Sequence, residues 1–259
     1  MSLPFSHPLL KDRSMGGPEW FQAQLSVIGG KPLIRSCYDL WYRKLLADAD
    51  SVPERYRTLP IVELGSGAGY VKTMRPEVVT SDVTTGCCDV VLDGRRLPFA
   101  DGAVRALLAA HVFHHIPDAA QFFEEACRVL APGGVISMIE VTHTPFARFF
   151  FSKIHPEPFN DRATAWDFPE GHSMLDSNQA LSWIVFFRDR RKFNAMFPQL
   201  RIEGWSYLPW FGYLLSGGVN LRSFFPGFLT PVVRLADFLF KPLNGIFAIH
   251  WHITIRKAE

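Results

Sequence analysis

Ile61-Val-Glu-Leu-Gly-Ser-Gly-Ala-Gly69 is a short, mostly apolar run that ends in three glycines at alternate positions. A buried strand followed by a tight turn, in which the backbone must come close to a ligand before the chain moves on, calls for this pattern. One or two such glycines serve packing alone in many folds, whereas three in this arrangement point to a nucleotide-like ligand. The nicotinamide fingerprint G-x-G-x-x-G does not fit, because the third glycine comes one residue early. A nicotinamide enzyme is thereby disfavoured.

Outward from this run, other short apolar stretches end in Gly or Asp: Val78-Val-Thr-Ser81, Val90-Val-Leu92, Val104–Ala110 and Val135–Ile139. They read as strands buried on both faces. A helix is predicted between the last two, started by Pro117-Asp118 and stopped by Ala131-Pro-Gly-Gly134, with Phe122, Phe123, Ala126, Val129 and Leu130 on one face. Strand, helix and strand in that order make a right-handed parallel crossover. Upstream, Pro18–Ala49 has helical spacing broken at Gly29-Gly30 and Pro32, which predicts two short helices capping a sheet edge or a pocket. Downstream, His143–Leu175 reads as a long functional loop, ordered by Trp166 and Phe168. A helix is expected over Ser177–Phe197, capped by Ser177 or Asn178, with strands at Leu200–Trp205 and Ile246–Ile255.

Composition sets the outer limits. The chain has 259 residues, 48% hydrophobic and 20% charged, with a net charge of +2, too small for a polyanion-binding surface, so no nucleic-acid partner is expected. Cys37, Cys87, Cys88 and Cys127 lack metal or redox spacing and read as reduced, mostly buried thiols in a cytoplasmic protein. No export signal is read in the first twenty residues, and no apolar run reaches the roughly twenty residues of a spanning helix.

Five segments occur in a specific order. They are Val62-Glu-Leu-Gly-Ser-Gly-Ala-Gly69, Ser81-Asp82, Leu92-Asp93-Gly-Arg-Arg-Leu-Pro-Phe99, Ala110-His111-Val-Phe-His-His-Ile-Pro-Asp118 and Arg128-Val-Leu-Ala-Pro-Gly-Gly134. In this order they resemble the class I S-adenosylmethionine-dependent methyltransferases, in particular the type 11 branch, over about residues 59 to 142. The resemblance implies an α/β Rossmann-like sheet, mostly parallel with its last strand antiparallel, and helices on both faces. It implies S-adenosylmethionine as cofactor and S-adenosylhomocysteine as product. Gly65, Ser66, Gly67 and Gly69 would face the methionine part, with Glu63 beneath it; Asp82, beside Val83, would take the ribose hydroxyls. Asp93, with Gly94 and Arg95, would take the adenine, and His111 would line the methyl-transfer centre. The short span from Gly69 to Asp82 leaves room for barely two helical turns, so the first crossover is expected to be short.

The organisation expected on this basis is a helical cap over 1–58, the cofactor domain over 59–203 with an insertion at 143–176, an aromatic segment over 204–245, and a final strand over 246–259. His111 and His143 are the candidate general bases, since a neutral imidazole titrates near working pH. His114 and His115 read as cap or packing residues. His155, Glu157, Asp161, Glu170 and His172 could face a substrate, but no two share a metal-ligand spacing, so no metal is expected. Between Gly204 and His252 the only charged residues are Arg222, Arg234, Asp237 and Lys241, and Trp205 to Trp251 holds 12 aromatics. Such a segment is either a lid or dimer contact, or a surface lying on a membrane, peripheral to its inner face. The acceptor expected is therefore a small molecule or a lipid-linked one; the alternative is a non-catalytic protein of this fold that binds a membrane or a protein partner through the aromatic segment.

Overall fold

The computed structural model describes residues 7–11, 13, 17–84, 88–169 and 176–259. Cys87, Glu170 and His172 lie outside the described residues. The strands are β1 (Ile61–Leu64), β2 (Val79–Asp82), β3 (Val90–Val91), β4 (Val104–Ala110), β5 (Leu130–Val141), β6 (Leu200–Tyr207) and β7 (His250–Lys257). They form one sheet of order β3-β2-β1-β4-β5-β7-β6, in which β1 to β5 run parallel and β7 pairs antiparallel with both β5 and β6. This is the mostly parallel sheet expected, with the last strand reversed.

Helices cover both faces: α1 (Pro18–Gly30), α2 (Pro32–Asp50), α3 (Ala119–Val129), α4 (Pro145–Lys153), α5 (Leu181–Trp183), α6 (Arg190–Met196), α7 (Phe211–Ser216), α8 (Thr230–Leu239) and α9 (Asn244–Phe247). The two-residue period of the strands divides the core in two. Val62, Leu64, Leu107, Ala109, Ile136 and Met138 face α3 and the 181–197 stretch. Ile61, Ala106, Leu108, Val135 and Ile139 face α2, whose Trp41, Leu45 and Ala49 meet them. The first crossover is as short as expected: Gly69 leads into one 3₁₀ turn, Tyr70–Thr73, before β2. No helix follows it there, and α2, supplied from the N-terminal side, packs on Val71 and Val78.

Several boundaries differ from the sequence reading. α2 is long, at 19 residues, because Pro32 starts a helix instead of ending one. Ala131-Pro-Gly-Gly134 lies inside β5 as an irregular strand start, with Val104 pairing Leu130 and Ala106 pairing Val135. The 143–175 loop contains α4, whose Thr144 side chain caps the Ala147 N–H at 3.1 Å. The helix read over Ser177–Phe197 begins at Leu181, widens into a π-turn at Ile184–Arg188 and restarts after Asp189. Neither Ser177 nor Asn178 caps it; Asn178 Oδ1 accepts instead from the Asn160 and Ala180 N–H groups. The last strand starts at His250, since residues 244–247 close into α9.

Candidate functional site

The carboxyl ends of β1, β2 and β4 bring the motif residues together. Gly65, Gly67 and Gly69 all adopt left-handed backbone, with φ of 56°, 47° and 65°. At Gly65 a side chain would be strained twice, by the positive φ and because a Cβ there would lie 2.5 Å from Val112 Cγ2. Gly67 lies under Phe21 of α1, so the N-terminal helix roofs the loop. Ser66 staples the turn to β2: its N–H donates to the Ser81 carbonyl at 2.7 Å, and its Oγ accepts from the Ser81 N–H at 3.0 Å. Asp82 is buried, its Oδ2 accepting from the Gly67 N–H at 3.1 Å and its Oδ1 from the Thr84 N–H at 2.9 Å. Val83 beside it is 71% exposed.

Glu63 sits under this loop, 1% exposed, with Oε1 accepting from the Tyr42 hydroxyl at 2.5 Å. Its Oε2 is buried with no hydrogen-bond partner among the described residues. Burial pushes this carboxyl up to about 7, against the opposing bonds from Tyr42 and Ser66. Asp93 differs, because Arg95 takes it: the Arg95 N–H donates to Oδ1 at 2.8 Å, and Nη2 reaches Oδ2 at 2.6 Å. Burial opposes ionisation there, yet the bonds from Arg95 hold the carboxyl below its ordinary range. Gly94 packs against Ile116, Phe122 and Leu64.

His111 follows β4, and among the described residues it alone, apart from glycines, has positive φ, at 60°. Its N–H donates to the Ile139 carbonyl at 2.8 Å, and Glu140 Oε1 accepts from the next two N–H groups, Val112 and Phe113, at 3.0 and 2.8 Å. The turn is therefore held by β5. The ring packs edge-on to Trp41 at 5.1 Å and to His250 at 4.5 Å, and Tyr213 of α7 packs on His250 at 4.6 Å. His111 Nε2 and His250 Nδ1 are both buried without a partner among the described residues. Burial lowers His111 to about 4 and holds His250 well below its usual range, so both rings are neutral at pH 7.

His143 is placed differently. Its ring stacks on Trp183 at 3.7 Å, and Nε2 shares a hydrogen bond with Asp161 Oδ2 at 2.9 Å, which Arg148 also approaches at 3.2 Å. The loop residue Glu157 reaches His114 and His115, and its N–H donates to His155 Nδ1 at 3.3 Å. Sequence reasoning missed Trp41, Tyr213 and His250, which come from three distant parts of the chain. For His250 a signal existed: in His250-Trp-His-Ile-Thr-Ile255 strict alternation sets Trp251 on the α3 side and both histidines on the opposite one.

Residues 62–138 match the family model described as a methyltransferase domain, of the type 11 branch. No curated protein matches the chain. Among solved structures, geranyl diphosphate C-methyltransferase from Streptomyces coelicolor A3(2), in complexes with S-adenosyl-L-homocysteine, is similar at 15% identity and TM-score 0.51, covering 99% of this chain and 89% of that one. A second complex of that enzyme gives 14% identity and TM-score 0.52, over 99% and 86%. A Haloferax volcanii protein solved with the Trm112 methyltransferase activator gives 16% identity and TM-score 0.50, over 92% and 97%. The sheet order, the glycine turn and the matched segment agree: the chain carries a class I methyltransferase domain, whose methyl donor is S-adenosylmethionine.

Proposed function

We propose that this methyltransferase acts on an amphiphilic acceptor, small or lipid-linked, while its aromatic segment rests on an anionic membrane surface. When bound, S-adenosylmethionine supplies a methyl group already activated by its sulfonium, so the protein's work is alignment and exclusion of water. Gly65, Gly67 and Gly69 would let backbone approach the methionine part, and the unpartnered Oε2 of Glu63 would accept from its ammonium. Asp82, between Ser66 and Val83, would accept from the ribose hydroxyls. Asp93 would meet the adenine amino group by sharing an oxygen with Arg95, beside Gly94. The neutral imidazole of His111, with His250 against it, would receive the proton of a hydroxyl or ammonium acceptor. His143 would act as a base only through its pair with Asp161.

The observation that carries the membrane reading is the outer face of α8 and of the 3₁₀ turn, Gly227–Leu229, that precedes it. Phe228 is 80% exposed, and Val232, Leu235, Phe238 and Leu239 are 59%, 58%, 72% and 63% exposed. Apolar patches of this kind on a monomer mark interaction surfaces. Asp237, the segment's single acid, is turned inward, where its carboxylate accepts from the Phe211 and Gly212 N–H groups at the start of α7. Arg222, Arg234 and Lys241 are exposed, Arg234 on α8 itself and Lys241 just beyond its end, a charge pattern that suits anionic headgroups. The same bonds join α8 to α7, and α7 carries Tyr213 to His250. Among the described residues no helix is long and apolar enough to cross a membrane. Flotation with anionic vesicles tests the reading: wild type is expected to float, and a variant carrying Phe228→Ser, Leu235→Ser and Phe238→Ser to stay behind. Wild type remaining in the soluble fraction would overturn the membrane reading and leave the segment a lid.

A further inference from the structure

His114 and His115 close the 3₁₀ turn after β4, and Glu157 comes from the loop beyond α4. The fold sets them against one another. Glu157 Oε2 lies 3.5 Å from His114 Nε2 and 3.6 Å from His115 Nε2, and one ligand atom from each of the three fits within 4.8 Å of the others. His114 is 3% exposed, while His115 and Glu157 are 23% and 18% exposed, so the cluster is shielded but reachable.

We propose that His114 Nε2, His115 Nε2 and the Glu157 carboxylate form a three-ligand site for a divalent cation of the zinc class. Two ligands on arms of about 2.0 to 2.1 Å at a tetrahedral angle stand roughly 3.4 Å apart, close to both spacings here. Two imidazoles and one carboxylate favour zinc, cobalt or a similar ion over magnesium or calcium, which take oxygen donors. Both histidines are also oriented from behind, as metal ligands are. His114 Nδ1 pairs with Glu140 Oε2 at 2.7 Å and His115 bonds the Asp176 backbone carbonyl, while the Gln179 side-chain amide fixes Glu157 by donating to Oε2, the oxygen that faces both rings. Gln179 itself is 2% exposed, and its Oε1, beside that carboxylate, is buried without a hydrogen-bond partner among the described residues. That oxygen is an acceptor for a water carried by the ion. Three protein ligands leave a position open, the composition of a reactive site and not of a structural one. Glu140 ties the site to the reacting centre, since its other oxygen holds the turn that carries His111. Without an ion, a proton on His114 between Glu140 and Glu157 would fill the same gap, and the experiment separates the two.

The inference rests on these side chains and is independent of the acceptor. Chelator-stripped protein is titrated with Co²⁺, following the visible absorption of a four-coordinate cobalt centre, and Zn²⁺ is then added to displace it. The expected result is a band that saturates at one ion per chain, is abolished by an equivalent of Zn²⁺ and persists in excess Mg²⁺. Glu157→Gln and His115→Ala are each expected to weaken cobalt binding at least tenfold. Far-ultraviolet circular dichroism checks that each variant folds; if Glu157→Gln does not, the more exposed His115→Ala carries the comparison. Absence of the band in wild type, or a band unchanged in a folded His115→Ala protein, would overturn the proposal in favour of a protonated His114 between two carboxylates.

Discussion

The glycine turn and helix α8 meet their surroundings in opposite ways. At the turn, the polar groups of Ser66, Ser81 and Asp82 are matched inside the protein, and apolar Val112 and Phe21 close over the glycines. Glu63 Oε2 is the exception, a buried acceptor with no donor among the described residues. On α8 the apolar side chains face outward, while the polar Asp237 is spent internally. One region is finished except for a single buried oxygen, and the other is finished except for an entire face. These are the two surfaces that the proposed function would fill, the turn with a small polar molecule and the helix with an apolar surface.

The largest effect is expected from a glycine-to-alanine change at the turn, with the same change at a glycine of α9 as its control. Gly65→Ala forces a Cβ to 2.5 Å from Val112 Cγ2 at a φ of 56°, and is expected to weaken S-adenosylhomocysteine binding by on the order of a hundredfold in calorimetry. Gly245→Ala, where nothing lies within 4 Å of the added carbon, is expected to leave that affinity unchanged. Equal effects would remove the claim that the turn is built to its ligand.

Glu63→Gln acts next. The folded carboxyl titrates near 7 against an ordinary 4.5, so the folded state holds its proton longer than the unfolded one. Stability from this group is then present at low pH and lost as pH rises from about 4.5 through about 7, flat above. Tyr42, Ser66 and Asp82 are the groups that face it. Thermal melts from pH 4.5 to 8 should show that decline in wild type and a shallower one in Glu63→Gln, which should also bind S-adenosylhomocysteine roughly tenfold more weakly through the lost charge-assisted bond. Identical profiles would detach Glu63 from the site.

The smallest expected effect lies on the other side of the comparison. Asp237→Ala removes the acceptor for two N–H groups at the start of α7 and should cost about 1 to 2 kcal/mol in denaturant unfolding, with cofactor affinity unaltered. A loss of affinity as large as that of Glu63→Gln would mean that the two regions are not separable.

Legibility followed the same division. Gly65, Gly67 and Gly69 were readable because left-handed backbone demands glycine, and the β4 and β5 runs because a buried strand demands apolar residues on both faces. Their neighbours in the sheet follow from chain order. What could not be read arises between distant segments: Trp41, Tyr213 and His250 are ordinary apolar or half-polar positions in their own elements and become a cluster only when α2, α7 and β7 meet. The His114, His115 and Glu157 grouping escaped for the same reason, since ligand spacing along the chain is uninformative when about forty residues, two helices and a strand intervene. Arg95 on Asp93 is a local contact, yet no pattern distinguishes an arginine that pairs with its neighbour from one that faces solvent. For α8 the composition shows an apolar segment and leaves its direction open, since that direction depends on Val233 and Asp237 anchoring the opposite side.

If the turn after β1 takes the methionine part of the methyl donor and Asp82, at the end of β2, its ribose, then titration calorimetry of S-adenosylhomocysteine into wild type and Asp82→Asn will separate the two proteins. Wild type should bind at a single site, and the folded variant more weakly by about 1 to 3 kcal/mol, the loss expected when hydroxyl donors lose a charged acceptor. No heat at millimolar ligand, or the same dissociation constant in both proteins, would contradict that placement.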